Sequence, residues 1–240
     1  GGQARLLPGY ALPHRYREGM NKKELEGVVF DADGTLFDTE RLGYWAWEEA
    51  GRQMGCPQAA DCYPEVVGRG RGDVLALLPR LLGPDFPHEP FMELRSRLAT
   101  ERMEREGVPV KEGAREVLEF LQSRQMPLAL ATSTYYDRTI YRLEHSGLGR
   151  YFQAVVTGDQ VSKSKPDPEI YRAACQRLGV SPAKAVAVED SPNGIRSALS
   201  AGMTAVMIPD LIPSSPELDS LIWKKFDDLS SLLHYLQREL

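Results

Sequence analysis

The sequence predicts an α/β fold: a parallel sheet with helices on both faces, and a small α-helical domain inserted after the first strand. Five short runs are continuously apolar rather than alternating, which is typical of strands buried on both faces of a sheet. Amphipathic helical stretches alternate with these runs, and this alternation predicts parallel strands joined by helices. The inserted domain is indicated by residues 41–106, which contain helical patterns but no strand candidate.

The predicted elements follow one another in a regular order. The strand candidates are residues 27–30, 127–131, 152–156, 185–188 and 204–208. Helices are predicted between them at 112–124, 135–146, 168–178 and 193–201, with a closing helix at 226–240. Gly147, Gly179 and Gly202 stand where three of these helices would end, as expected for helix C-terminal caps.

The helical insert, residues 41–106, shows three helical patterns near 41–54, 73–82 and 91–106, joined by segments rich in Pro and Gly. We therefore predict an α/β core formed by residues 20–40 and 107–240, with 41–106 as a separate helical domain. Residues 1–19 precede Met20 and are interpreted as an N-terminal extension or a cloning remnant outside the fold.

Composition narrows the classes of partner. The chain has 240 residues, 42% of them hydrophobic and 26% charged, so it can bury a sizeable core. Its net charge of −5 argues against nucleic acid as a general partner, and no apolar run is long enough to cross a membrane. The three cysteines contain no C-x-x-C pair, which argues against disulfides and zinc and favours a reducing cytoplasm. We expect a monomer or a weak homodimer.

Polar residues follow four of the predicted strands. They are Asp31 and Asp33, Thr132 and Ser133, Asp159, and Glu189 and Asp190. Ligands of open parallel sheets bind beyond the carboxyl ends of the strands, so we expect these side chains to converge.

The segment Asp31-Ala32-Asp33-Gly34 places two carboxylates on the same side of an extended chain, and Gly34 permits a sharp turn. A solvated acidic turn is an equally simple interpretation of this segment alone. A calcium loop is excluded, because leucines occupy the positions that require Gly and Glu. Asp190 could meet Asp31 and hold Mg²⁺, although an acid there could also cap the next helix.

Lys165, taken alone, would be a surface lysine. Four carboxylates and a phosphate need a cation beside them, however, and Lys165 is favoured over Lys163 because Pro166 fixes the chain directly after it. Thr132 stands between a strand and a helix, where it could seat a phosphate or cap the helix.

Four motifs carry a resemblance to a known family. They are DADGTLFDTE at 31–40, LALATST at 128–134, SKPDPEIY at 164–171 and VAVEDSPNGIRSALSAGM at 186–203. In this order they resemble the haloacid-dehalogenase-like phosphohydrolases, in the branch of β-phosphoglucomutase and the sugar-phosphate phosphatases. The resemblance spans residues 27–210 and implies a Rossmann-like core with residues 41–106 as a cap domain.

The resemblance also implies roles for individual residues. Asp31 would be the nucleophile, and Asp33 the general acid and base, kept protonated at the start by neighbouring carboxylates. The catalytic set would be Asp31, Asp33, Thr132 and Lys165. The Mg²⁺ set would be Asp31, the backbone carbonyl of Asp33, Asp190 and Glu189, the last as a ligand or an anchor. The phosphate and substrate set would be Gly34, Thr132, Ser133, Lys165, Asn193, Arg69 and Arg71.

Arg69 and Arg71 belong to a small basic loop in the insert, which could hold a second anionic group of the substrate or be a flexible solvated turn. Asp38, Thr39 and Glu40 are interpreted as hinge residues rather than catalytic ones.

The sequence therefore favours a Mg²⁺-dependent phosphatase acting on a small phosphorylated metabolite, of the sugar-phosphate type. A phosphosugar mutase is the alternative, and a non-catalytic phosphometabolite-binding regulator is a more remote one. The stretch from residue 25 to 110 contains no lysine, which argues against phosphonate cleavage and weakens the mutase hypothesis.

Overall fold

The computed structural model describes residues 24–240. The interpretation of residues 1–19 lies outside this range. Six strands form one sheet in the order β3-β2-β1-β4-β5-β6, and every neighbouring pair is parallel. The strands are β1 (Gly27–Phe30), β2 (Leu128–Ala131), β3 (Ala154–Val156), β4 (Ala185–Glu189), β5 (Thr204–Met207) and β6 (Lys224–Lys225).

Helices cover both faces of the sheet. Those of the core are α5 (Ala114–Ser123), α6 (Tyr136–Ser146), α7 (Glu169–Leu178), α8 (Pro192–Ser200), α9 (Pro216–Asp219) and α10 (Leu229–Glu239). Alternate residues of β1 point to opposite faces: Val28 and Phe30 pack with α5 and α10, whereas Val29 packs with α7 and α8. This double burial explains why the strands are continuously apolar and confirms the predicted fold class.

The central position of β1 determines where the site forms. Phe30 is in register with Leu130 of β2 on one side and with Val188 of β4 on the other. The residues that follow these three positions therefore emerge side by side at the carboxyl edge of the sheet.

Several observed strands and helices differ from the predicted ones. Strand β6 was not predicted, because it has two exposed lysines and no apolar pattern. The three helices predicted in the insert start two or three residues earlier than expected, as α1 (Thr39–Gln53), α3 (Arg71–Leu82) and α4 (His88–Glu106), and the short helix α2 (Tyr63–Val66) was not predicted. Arg71 is therefore the first residue of a helix rather than part of a loop.

The helical insert has a hydrophobic cluster of its own, centred on Trp47. The Trp47 ring meets Phe91 and Tyr63 edge-on, with centroids 4.8 and 5.7 Å apart, and its Nε1 donates to the carbonyl of Ala59 at 2.6 Å. The two segments that connect the insert to the core lie side by side, because the Asp38 amide of one donates a hydrogen bond to the Pro109 carbonyl of the other at 2.9 Å.

Within residues 24–240, no helix is both long and apolar enough to span a bilayer.

Trp47→Ala should lower the free energy of unfolding by about 3–5 kcal/mol, because it opens a cavity in the cluster and removes the indole hydrogen bond to the Ala59 carbonyl. The matched control is Trp45→Ala on the same helix, since Trp45 is half-buried and contacts the Arg102 guanidinium 4.5 Å from its ring centroid. That change should cost about 1 kcal/mol. Urea unfolding measures both values, and equal losses would contradict a separate core centred on Trp47.

Candidate active site

Lys165 is buried at the carboxyl edge of the sheet between two carboxylates. Its Nζ donates to Asp31 Oδ1 at 2.8 Å, to Glu189 Oε1 at 2.7 Å and to the Ala131 carbonyl at 3.0 Å. Burial lowers the pKa of Lys165, but Asp31 and Glu189 outweigh it and hold the pKa above its usual range. The structure thus brings together an ammonium and the ends of β1, β2 and β4.

Asp31 is fixed through both carboxylate oxygens. While Oδ1 accepts from Lys165, Oδ2 accepts from the Thr35 hydroxyl at 3.0 Å, and the same hydroxyl lies 3.4 Å from Asp190 Oδ1. Our sequence interpretation gave Thr35 no role, although it lies in the same motif. Gly34 has φ +85°, and a Cβ there would lie 2.1 Å from Asp190 Oδ2, so only glycine lets the two segments approach this closely.

Three buried acids could hold a metal ion. One carboxylate oxygen from each of Asp31, Glu189 and Asp190 lies within 4.8 Å of the others. Burial raises the pKa of Asp190 well above its usual range, and the neighbouring Asp31, Glu189 and Glu40 raise it further. Crowded oxygen ligands whose charges repel suit a hard divalent cation, so the residues present fit Mg²⁺.

Glu189 also anchors the lysine. Its Oε1 accepts hydrogen bonds from Lys165 and from the Tyr171 hydroxyl of α7. Burial and the charge of Asp31 raise the pKa of Glu189 to about 7, against the opposing effect of Lys165. Helix α8 is capped by Ser191, whose hydroxyl accepts from the Gly194 amide at 3.2 Å, so the capping alternative does not explain Glu189 or Asp190. Sequence patterns gave no role to Tyr171.

Asp33 has different surroundings from those we predicted. Its carboxylate accepts hydrogen bonds from Thr39 and Thr134 and pairs with the Arg142 guanidinium at 2.8 Å. Burial raises the pKa of Asp33, but Arg142 and the two hydroxyls together lower it below its usual value. The expectation that neighbouring carboxylates keep this group protonated is therefore wrong for the ligand-free protein.

The remaining predicted residues divide into two groups. Thr132 is buried at the end of β2 and lines the same cavity as Ser133, Asp31 and Lys165. Asn193 lies in the first turn of α8 and is not among the residues lining this cavity. Asp159 does not converge with the other acids, because it is exposed and accepts a hydrogen bond from the Tyr136 amide at 2.9 Å, at the start of α6.

A cavity of about 740 Å³ lies between the sheet edge and the helical insert. Arg69 and Arg71 line it from the insert, although the Arg69 Nε donates back to the Glu65 carbonyl at 2.7 Å. Glu40 also lines it and is buried; burial, then Asp33 and Asp31, raise its pKa to about 8. A small anionic molecule would thus meet the acid cluster and Lys165 at one end and arginines at the other.

Comparison with known proteins identifies the family. The family model described as "Hydrolase: haloacid dehalogenase-like hydrolase" matches residues 25–202. The chain belongs to the haloacid dehalogenase-like hydrolases. The "Phosphorylated carbohydrates phosphatase" of Thermotoga maritima is 38% identical to this hydrolase over 182 residues, covering 76% of this chain and 84% of the relative. The "Fructose-1-phosphate phosphatase YqaB" of Escherichia coli is 31% identical over 182 residues, covering 75% of this chain and 94% of the relative.

Solved structures share the same architecture. The structure of CbbY from Rhodobacter sphaeroides in complex with phosphate superposes on this hydrolase with a TM-score of 0.73 and 26% identity, covering 87% of this chain and 96% of that one. The similarity extends over most of both chains.

Mg²⁺ should raise the melting temperature of the wild-type protein, since a ligand that binds the folded state alone stabilises it, and Asp190→Asn should abolish this gain. In EDTA the variant should melt at least as high as the wild type, because the amide replaces a carboxyl group whose ionisation the neighbouring acids oppose. The raised pKa of Asp190 also means that the folded state keeps a proton that the unfolded state loses near pH ~4, the ordinary range of an aspartate. Metal-free wild type should therefore lose stability as pH rises above that value.

Thermal melts with and without Mg²⁺ test this. The matched control is Asp159→Asn, an exposed acid at another strand end, which should keep the Mg²⁺ response. An undiminished Mg²⁺ response in Asp190→Asn would exclude this acid cluster as the metal site.

Proposed function

We propose that this hydrolase is a Mg²⁺-dependent phosphatase that removes phosphate from a small phosphorylated metabolite, a sugar phosphate, through an aspartyl-phosphate on Asp31. The observation that carries the proposal is the arrangement of Asp31, whose two oxygens are fixed by Lys165 and Thr35 beside the cavity. The names of the two phosphatase relatives support the substrate class.

In the first step, a carboxylate oxygen of Asp31 attacks phosphorus, and the bond from phosphorus to the ester oxygen breaks. Lys165 stabilises the charge that develops on the phosphoryl oxygens, and the Thr132 hydroxyl contributes a further hydrogen bond. When bound, Mg²⁺ would be held by Asp31, Asp190 and the backbone carbonyl of Asp33 and would offset negative charge at the nucleophile. Glu189 keeps Lys165 in place.

Asp33 moves the protons. It gives one to the departing alcohol and takes one from the water that later attacks the aspartyl-phosphate. In the ligand-free protein Arg142 favours the carboxylate form, which suits the second of these roles. We infer that a bound anionic substrate competes for Arg142 and adds negative charge nearby, and that both effects favour protonation of Asp33 before the first step.

The helical insert acts as a cap in this proposal. It supplies one wall of the cavity and therefore selects the part of the substrate that lies beyond the phosphate. The described part of the insert holds Arg69, Arg71 and Arg95 on that wall but no lysine, which favours hydrolysis over mutase chemistry. We further place the enzyme in the cytoplasm, where its three buried, free cysteines stay reduced.

Asp31→Asn should lower phosphate release from a panel of sugar phosphates by at least about a thousandfold, because the amide cannot serve as the nucleophile. The control Asp61→Asn changes an exposed aspartate of the insert and should have wild-type activity. EDTA should abolish wild-type turnover, and Mg²⁺ should restore it.

Released inorganic phosphate and the isomers of the sugar phosphates are both measured. Isomerisation without net phosphate release would replace the phosphatase with a mutase. Substrate binding without turnover in the wild type, or full activity in Asp31→Asn, would contradict the proposal.

A further inference from the structure

Side chains that hold an unpaired polar atom concentrate around the cavity above the acid cluster. Four buried side-chain atoms in residues 24–240 lack a hydrogen-bond partner: Arg95 Nε, Ser96 Oγ, Arg142 Nε and Asp210 Oδ2. The first three belong to residues that line the cavity. Buried polar groups without partners are uncommon, so three donors beside one cavity indicate a ligand rich in acceptor oxygens.

The same wall carries unbalanced positive charge. Arg71, Arg95, Arg138 and Arg142 all line the cavity, and among the described residues Arg142 alone of these four forms an ion pair. Burial lowers the pKa of Arg95, and the charges of Arg138 and Arg142 also lower it, against the opposing effects of Tyr63 and Glu40. Burial also lowers the pKa of Arg138, with further effects from Arg142 and Arg71. Within residues 24–240, three of these four guanidinium groups therefore line the cavity without a paired carboxylate.

Nearby acids do not compensate for this charge. Asp33 already accepts hydrogen bonds from two threonines and pairs with Arg142. Glu40 Oε2 lies 3.4 Å from the Tyr63 hydroxyl, and within residues 24–240 this carboxyl forms no ion pair with an arginine of this group. Glu93 and Asp137 also line the cavity, but both are exposed and neither pairs with an arginine of this group.

We propose that the preferred substrate carries a second acidic group, a carboxylate or a second phosphate, and that Arg95, Ser96 and Arg138 bind it. The residues of this subsite are not Arg69 and Arg71, for which the sequence suggested a second anionic group of the substrate. Arg95 and Ser96 lie on α4 of the insert and Arg138 on α6 of the core, so an acidic group between them would join the two walls of the cavity. Charge-assisted hydrogen bonds from both walls would stabilise the bound, closed arrangement.

A structural role for Arg95 explains less of what is observed. Its guanidinium carbon lies 5.8 Å from the centroid of the Trp47 ring, a contact that packs the side chain in the insert. That contact leaves the Nε without an acceptor and does not account for Ser96 or for the exposed Arg138 opposite. An acidic ligand explains all three residues together.

The inference rests on the proposed phosphatase activity, so the test uses matched pairs of substrates. Fructose 6-phosphate is compared with fructose 1,6-bisphosphate, and glucose 6-phosphate with 6-phosphogluconate. Each pair differs by one acidic group, a phosphate in the first and a carboxylate in the second, so the pairs also show which group is preferred. In at least one pair the wild-type kcat/KM should favour the diacid by about tenfold or more, as expected for hydrogen bonds to a charged group.

Arg95→Met and Arg138→Met should each lower this diacid-to-monoacid ratio by about tenfold. Arg138 is exposed, so its variant is expected to fold even if Arg95→Met does not. The control is Arg97→Met on the same helix, because Arg97 is 68% exposed, pairs with Glu101 and does not line the cavity. It should leave the ratio unchanged.

The outcomes separate the two proposals. A wild type that hydrolyses the monoacids as fast as the diacids, or an unchanged ratio in Arg138→Met, would overturn the subsite while leaving the phosphatase intact. An equal loss on both members of each pair in Arg95→Met would assign that residue a structural role and also overturn it. Failure of the phosphatase itself would appear as no phosphate release from any of the four compounds.

Discussion

The buried ammonium of Lys165 is the interaction on which the rest of the site depends. It contacts Asp31, Glu189 and the carbonyl that ends β2, so it joins three neighbouring strands at their carboxyl ends. A buried charge without partners would destabilise the fold by about 3–5 kcal/mol. A buried charge that is fully paired instead fixes the geometry of its partners. Removing Lys165 would leave the Asp31 and Glu189 carboxylates without a cation between them at the point where chemistry is expected.

Close packing of the backbone at two glycines allows the carboxylates of the site to lie near one another. Gly34 admits the Asp190 carboxylate at a distance that excludes a Cβ, and Gly194 does the same for Glu189, whose Cδ lies 2.0 Å from the point that a Cβ on Gly194 would occupy. The result is an acid cluster that costs stability in the absence of a cation and gains function in its presence, a compromise typical of active sites. The threonines and Arg142 around Asp33 keep a second carboxylate in a different electrostatic environment, so two nearby aspartates can take different roles.

Sequence patterns predicted the parts of this arrangement that are local. Strands β1 to β5 were predicted because burial on both faces requires unbroken apolar runs, and Asp31, Thr132, Glu189 and Asp190 were found because they follow those runs directly. Side chains on helices were not predicted, since Arg142 reaches Asp33 across 109 positions and Tyr171 reaches Glu189 only through the packing of α7. The ionisation of Asp33 depends on Arg142, which is distant in the sequence. The positions of Asp159 and Asn193 depend on loop and helix geometry, and the apolar periodicity of the sequence does not determine that geometry.

The most direct test of the central claim is to locate the phosphoryl group on the enzyme. Wild-type protein is mixed with a substrate and Mg²⁺, quenched in acid within the first turnover, digested and analysed by mass spectrometry. One added phosphoryl group is expected on the peptide that contains Asp31, and fragmentation should locate it on that residue. A phosphoryl group on any other side chain, or substrate turnover through the first cycle with no modified peptide, would contradict it.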